Sequence, residues 1–185
     1  MTRVCLVGDE DVNLRYELLS RETARNALVT YDLREPFRNA VGVETVSLGA
    51  AVALLNDLDW YLVRFVDEAM VLEPSVSETE WLSRDLAAAI RDDEVTAEES
   101  DRFLKIYGLE SGSDGRDASD DDEGAMDGEE GVVGDEEGVV DDEEGPARLV
   151  EPMYVTRTGS DVPAYDLRDV DETLVERVTE AEFGA

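Results

Sequence analysis

Five arginines, Arg15, Arg21, Arg25, Arg34 and Arg38, fall within 24 residues and are the leading candidate binding group in the sequence. A guanidinium is permanently charged and presents a planar fork of donors that matches carboxylate or phosphate oxygens. Arg21 and Arg25 are spaced so that a helix would place them on one face. From position 13 to position 43 the five bases meet four acids (Glu17, Glu22, Asp32, Glu35), a local charge of +1 in a chain whose formal charge is −32. Such a patch could bind an anion, a nucleic-acid backbone or an acidic partner. The plainer account is a set of surface ion pairs, such as Glu17 with Arg21. It carries more weight, because exposed pairs are common and individually weak.

A second group is acidic. Asp9 and Asp11 follow the first apolar run, and Asp67 follows the run Trp60 to Val66. Carboxylates at the C-terminal ends of parallel strands can converge on Mg2+. Asp9, Asp11 and Asp67 are therefore the candidate ligands of a carboxylate-dependent enzyme or phospho-switch. That layout superficially resembles phospho-acceptor receiver domains, with Lys105 as the phosphate-contacting lysine, but the spacing from the first acids to Asp67 is too long. Ser119, Asp121, Glu123, Gly124 and Glu130 match part of a calcium-loop pattern, yet the first position should be Asp and flanking helices are missing.

What is missing narrows the chemistry further. There is no histidine, which removes the commonest general base and zinc ligand. The single Cys5 excludes an internal disulfide and any multi-cysteine metal site, and on an apolar strand it reads as a small core residue. No P-loop, G-x-G-x-x-G, G-x-S-x-G or zinc spacing occurs. No cofactor is expected.

The solvent is legible from charge. Forty-eight acidic residues face sixteen basic ones, and every base but Lys105 is arginine. In dilute buffer this charge opposes compaction, whereas salt cuts the reach of the repulsion to roughly 3 Å at 1 M. The excess is spread along the chain: net −11 over residues 1–109, −16 over 110–147 and −5 over 148–185. The composition implies a halophilic, acidic protein. The N-terminal apolar run is too short for a signal peptide, and the longest apolar stretch, Val46 to Leu55, cannot span a bilayer. A cytoplasmic protein without membrane contact is expected. The charge and the solvent both argue against nucleic acid, leaving a protein partner or self-association.

The expected fold class is α/β, with α+β open. One mixed-sheet domain carries helices packed on it and a long acidic disordered loop. Residues 1–109 form the core. Strands are predicted at Arg3–Val7, Asn13–Leu18 (a helix starting near Val12 being the alternative there), Val43–Leu48 and Trp60–Val66, the last returning as a hairpin through Ala69–Leu72. Helices are predicted from Arg21, capped by Ser20, to about Tyr31, from Gly49 to about Leu58, and after capping boxes at Ser77–Glu80 and Thr96–Glu99, the latter helix stopping at Gly108. Residues 110–147 are an acidic linker, in which Glu129-Glu130-Gly131-Val132-Val133 recurs as Glu136-Glu137-Gly138-Val139-Val140. Residues 148–185 are predicted to supply a strand at Leu149–Thr156, a turn at Thr158–Asp161 and an extended segment at Val162–Leu167. A helix capped by Asp169 or Asp171 then carries Leu174, Val178 and Ala181. Too small to be stable alone, this piece should dock on the core.

The segments Arg3-Val4-Cys5-Leu6-Val7-Gly8-Asp9-Glu10-Asp11-Val12-Asn13-Leu14-Arg15-Tyr16-Glu17 and Trp60-Tyr61-Leu62-Val63-Arg64-Phe65-Val66-Asp67-Glu68 resemble an uncharacterised haloarchaeal family, a domain of unknown function. The likeness covers roughly residues 1–107 and implies no activity. The expected role is a non-catalytic interaction or regulatory module, ahead of the carboxylate/Mg2+ enzyme and of a nucleic-acid factor using the arginines.

Overall fold

The computed structural model describes residues 1–112, 145–159 and 172–185. Seven strands form one mixed sheet: β1 (Thr2–Gly8), β2 (Ala40–Thr45), β3 (Val66–Leu72), β4 (Trp81–Ser83), β5 (Phe103–Gly112), β6 (Gly145–Thr156) and β7 (Glu172–Arg177). Their order is β2-β1-β3-β4-β7-β5-β6. Every pairing is antiparallel except β4 with β7. Six helices accompany the sheet: α1 (Leu14–Ser20), α2 (Glu22–Leu28), α3 (Leu48–Asp57), α4 (Asp59–Phe65), α5 (Arg84–Arg91) and α6 (Glu180–Phe183).

Strand alternation sends the residues of β1 to two cores. Val4 and Leu6 join Leu14, Leu18, Leu55 and Leu86 in a core under the helices. Cys5 and Val7 turn the other way, toward Met70, Trp81, Tyr107, Leu109 and Leu174. The sheet curls around this second core until its ends meet. The Arg38 N–H, just before β2, donates to the Ala147 carbonyl of β6 at 2.9 Å, and Arg148 pairs with Glu10. Phe37 and Leu149 pack against the core at that closure.

Several elements differ from the sequence expectation. Asn13–Leu18 is not a strand. Asn13 caps α1, its side chain accepting from the Tyr16 N–H at 3.0 Å, and Leu14 and Leu18 are the buried pair. Tyr16, which alternation would turn inward, is 68% exposed. Trp60–Val66 is not a strand either, because the chain turns from α3 straight into α4, with Leu58 and Leu62 inward. Of the expected hairpin only Val66 onward is strand, one continuous β3 (Val66–Leu72) with no turn at Asp67-Glu68. The helix expected from Arg21 to about Tyr31 runs from Glu22 to Leu28, with Arg21 rather than Ser20 in the cap position.

Both capping boxes make cap hydrogen bonds without the expected helices. The Ser77 hydroxyl accepts from the Glu80 N–H at 3.0 Å, but a turn follows and then β4, and α5 starts on Ser83 instead. Thr96 and Glu99 bond reciprocally at 3.1 and 3.3 Å, yet only a 3-10 turn (Glu99–Asp101) precedes β5, so Gly108 lies in a strand. The segment carrying Leu174 is β7, and the short α6 is capped by Thr179. The hydrogen-bonding edges of β4 and β5 demand a strand between them, and that demand outweighs local helix signals. The acidic repeat, the calcium-loop positions and Val162–Leu167 lie outside the described residues.

Candidate functional site

Helix α4 displays residues that a buried strand would have hidden. Leu62 points into the core, so Trp60 and Val63 face outward at 49% and 78% exposure. The Arg64 guanidinium lies 4.2 Å from the Trp60 ring centroid, and that of Arg21 lies 5.7 Å from Trp60 and 5.1 Å from Phe65. Trp60 meets Tyr61 edge-on at 5.0 Å. Arg21 is held in turn by Glu17 at 3.1 Å. Beside this cluster, α1 presents Arg15, Tyr16 and Leu19 around a shallow depression. The result is an exposed aromatic surface bracketed by guanidinium groups.

The five arginines of the sequence reading occupy different surroundings. Arg21 contacts the α4 aromatics. Arg34 forks onto Glu44 of β2 at 3.4 Å, and Arg38 serves the sheet closure through its backbone. Arg15 and Arg25 are exposed, with no ion pair at either among the described residues. The residue that completes the patch is Arg64, which sequence reasoning missed because it expected a strand there.

Asp9 accepts from the Asp11 N–H at 3.1 Å within the turn after β1. Asp67 lies inside β3, antiparallel to β1, so the parallel strand ends that would have gathered these carboxylates are absent. Among the described residues no group of three or more His, Cys, Asp or Glu could hold a metal ion.

Two buried ionic clusters flank the seam where β7 enters the sheet. That seam is thin: β4 and β7 pair only through Trp81 with Glu176 and Leu82 with Arg177. On the inner face, one carboxylate oxygen of Glu68 accepts from both Lys105 Nζ and the Tyr107 hydroxyl, the latter at 2.5 Å. Burial of the Lys105 ammonium would lower its pKa, but the charge of Glu68 and its hydrogen bond raise it. Burial and then Glu68 push the Tyr107 phenol up. Glu176 is fully buried beside them, and burial followed by the charge of Glu68 raises its carboxyl well above the ordinary range. Burial, with Glu176 nearby, pushes the Cys5 thiol up to about 12.

On the opposite face Glu80 binds both Arg157 and Arg177, the latter at 2.5 Å, and Arg177 also donates to Ser100 at 2.9 Å. Burial alone would raise the Glu80 carboxyl, but hydrogen bonds and charge from the two arginines draw it below its usual range. Sequence reasoning named none of these residues as a cluster. The one available signal was Lys105, the sole lysine, set in an apolar run.

Residues 2–109 match a family of unknown function, DUF5804, and the chain belongs to it. The match spans β1 through most of β5, including the Trp60 surface and Glu68. No curated protein and no solved structure matches the chain.

Proposed function

We propose that the chain is a salt-adapted, cytoplasmic, non-catalytic interaction module. Its working surface is the Trp60 face of α1 and α4, and its partner is a protein that presents carboxylates around an apolar pocket. The observation that carries this reading is Arg64 stacked 4.2 Å above a tryptophan that is itself half exposed. The few residues that dominate binding energy at protein interfaces are enriched in tryptophan, tyrosine and arginine. Here they occur together on a chain of charge −32. Concentrated salt abolishes long-range steering but leaves contact-range forks and apolar burial in place. The same salt weakens phosphate contacts steeply, which disfavours nucleic acid.

Salt adaptation is supported by the placement of the bases. The only lysine is 15% exposed at its side chain and tied to Glu68, so the exterior cations are all arginine. Arginine is the more weakly hydrated of the two. Among the described residues no helix is long and apolar enough to cross a membrane.

The test compares wild type with Trp60→Ala and with Arg64→Glu, captured on a support in host-level salt, with nuclease-treated and untreated arms. A stoichiometric protein lost from both variants, at unchanged melting temperature, is the expected result. Equal capture by all three proteins would overturn the reading, and capture sensitive only to nuclease would replace it with a nucleic-acid role.

A further inference from the structure

We propose that Glu176 is a buried proton-binding site, and that release of its proton opens the seam between β4 and β7. Glu176 lies at the centre of the sheet, 0% exposed, paired in register with Trp81 on one side and Lys105 on the other. No N–H or O–H of the described residues reaches either of its carboxyl oxygens. The group within hydrogen-bonding reach is another carboxyl, that of Glu68. Two carboxyls share a hydrogen bond only when one of them carries a proton.

The donors around the pair are already committed. Lys105 Nζ and the Tyr107 hydroxyl both go to Glu68. Two carboxyls against one ammonium leave the cluster one positive charge short, and the proton on Glu176 supplies it. The remaining neighbours do not compensate. α6 contributes Glu182, a further acid, which is engaged by Ser83 at 2.8 Å and by the Thr179 cap. β1 contributes the Cys5 thiol, and β6 contributes Tyr154 opposite Lys105. β4 places only Trp81 and Ser83 on this side, and Arg177 of β7 is turned to the other face, toward Glu80.

Ionisation therefore puts a second carboxylate, without donors, into the driest part of the sheet. Such a charge is relieved only by hydration. The seam is the place where water can enter, since two residue pairs are all that join β4 to β7. When the seam is open, Glu176 is solvated and titrates near its ordinary value of 4.5; when closed, it holds its proton to much higher pH. Closure is thus fully favoured below the open-state value, and its advantage declines as pH rises toward the closed-state value. One proton is lost per opening, so the open population grows about tenfold per pH unit in that window.

The experiment uses the full chain in concentrated KCl. At neutral pH the exposed carboxyls are ionised, so an infrared carbonyl band from a protonated carboxylic acid reports the buried site. The expected result is such a band in wild type, its absence in Glu176→Gln, and its loss on alkaline titration. Amide hydrogen exchange in β7, corrected for intrinsic rate, should rise about tenfold per pH unit in wild type and stay flat in Glu176→Gln. Absence of the band from wild type overturns the proposal, as does β7 exchange that rises equally in both proteins. If the variant does not fold, the wild-type band and its titration decide the matter alone.

Discussion

Lys105 and Glu176 stand directly opposite one another on β5 and β7, yet the ammonium of Lys105 bonds to Glu68 on β3. Two strands, β4 and β7, separate β3 from β5 in the sheet order. The contact exists because the sheet curls. The hydrogen bonds from Lys105 and Tyr107 to Glu68 run across the enclosed core rather than along a ladder, and they join the strands before β4 to those after it. Glu80 repeats the arrangement on the other face, where its two arginine partners come from the ends of β6 and β7. Ion clusters thus lie on both faces of a seam that has only two backbone residue pairs.

Replacing Glu80 by alanine should be among the most damaging single changes. Arg157 and Arg177 are 8% and 10% exposed at their side chains; without Glu80, Arg177 would be a buried charge with no carboxylate and Arg157 would keep only the longer contact to Asp101 at 3.6 Å. Breaking such an arrangement typically costs about 3–5 kcal/mol. Urea unfolding at constant high salt measures it. The Glu80 carboxyl lies below its usual value in the folded chain, so its contribution is present above the unfolded value and is lost as pH falls through the folded one. The Glu80→Ala protein should accordingly lose less stability than wild type on acidification, and a parallel loss in the two proteins would contradict this assignment.

The turn after β1 depends on Gly8 and Asn39 together. A Cβ at Gly8 would come within 2.6 Å of Asn39 Nδ2 and 2.7 Å of Leu14 Cβ. Asn39 has φ 55°, and its side chain donates to the Asp9 and Val12 carbonyls while accepting from the Leu14 N–H. Gly8→Ala should cost about 1–3 kcal/mol through overpacking. Asn39→Gly keeps the left-handed backbone but loses the hydrogen bonds, so it should cost less than Asn39→Ala, which loses both. Thermal unfolding of the three variants gives the order.

Gly112 and Gly145 are paired in register at the end of the β5–β6 ladder, so these two positions are adjacent in space. Residues 113–144 carry sixteen acids and one arginine between those points. Replacing them with a two-residue Asn-Gly turn should preserve the fold. It should also shift the salt needed for half-folding to a lower concentration, since much of the self-repulsion is removed. Circular dichroism during dilution from concentrated KCl is the measurement; an unchanged midpoint would show that this acidic excess contributes little to salt dependence.

Cys5 should behave as an inert thiol in the folded chain. It is 0% exposed, and burial pushes its pKa up to about 12. A disulfide reagent at mildly alkaline pH should modify it only at the rate of unfolding, and at the ordinary thiol rate once denaturant is added. Fast modification of the native protein would place Cys5 at a breathing edge instead.

Deletion of residues 172–185 should abolish cooperative unfolding. β7 lies between β4 and β5, and its removal leaves both without a partner along the seam. A sharp melting transition in the shortened chain would show that the preceding strands are self-sufficient.

The amino-acid sequence by itself determined the charge, the lack of histidine chemistry, the mixed sheet, and the elements whose signals are local and one-sided. β1 is an unbroken apolar run, and the helix expected from Gly49 to about Leu58 is α3 (Leu48–Asp57), although its cap, Ser47, is expected in a strand that in fact ends at Thr45. Such elements could be read because propensity and pattern agree within a few residues. The tertiary structure decided the rest. Trp60 reads as a strand residue by type and becomes an exposed helix residue, since α4 continues from α3 and buries Leu58 and Leu62. Thr96 and Glu99 complete their cap, but the chain then goes to strand, where the sheet offers more hydrogen bonds than a helix could satisfy. Glu68, Lys105 and Glu176 come together only when the sheet curls, and no local pattern encodes a curl. Their proximity is a consequence of strand order, which depends on pairings between residues far apart in the chain.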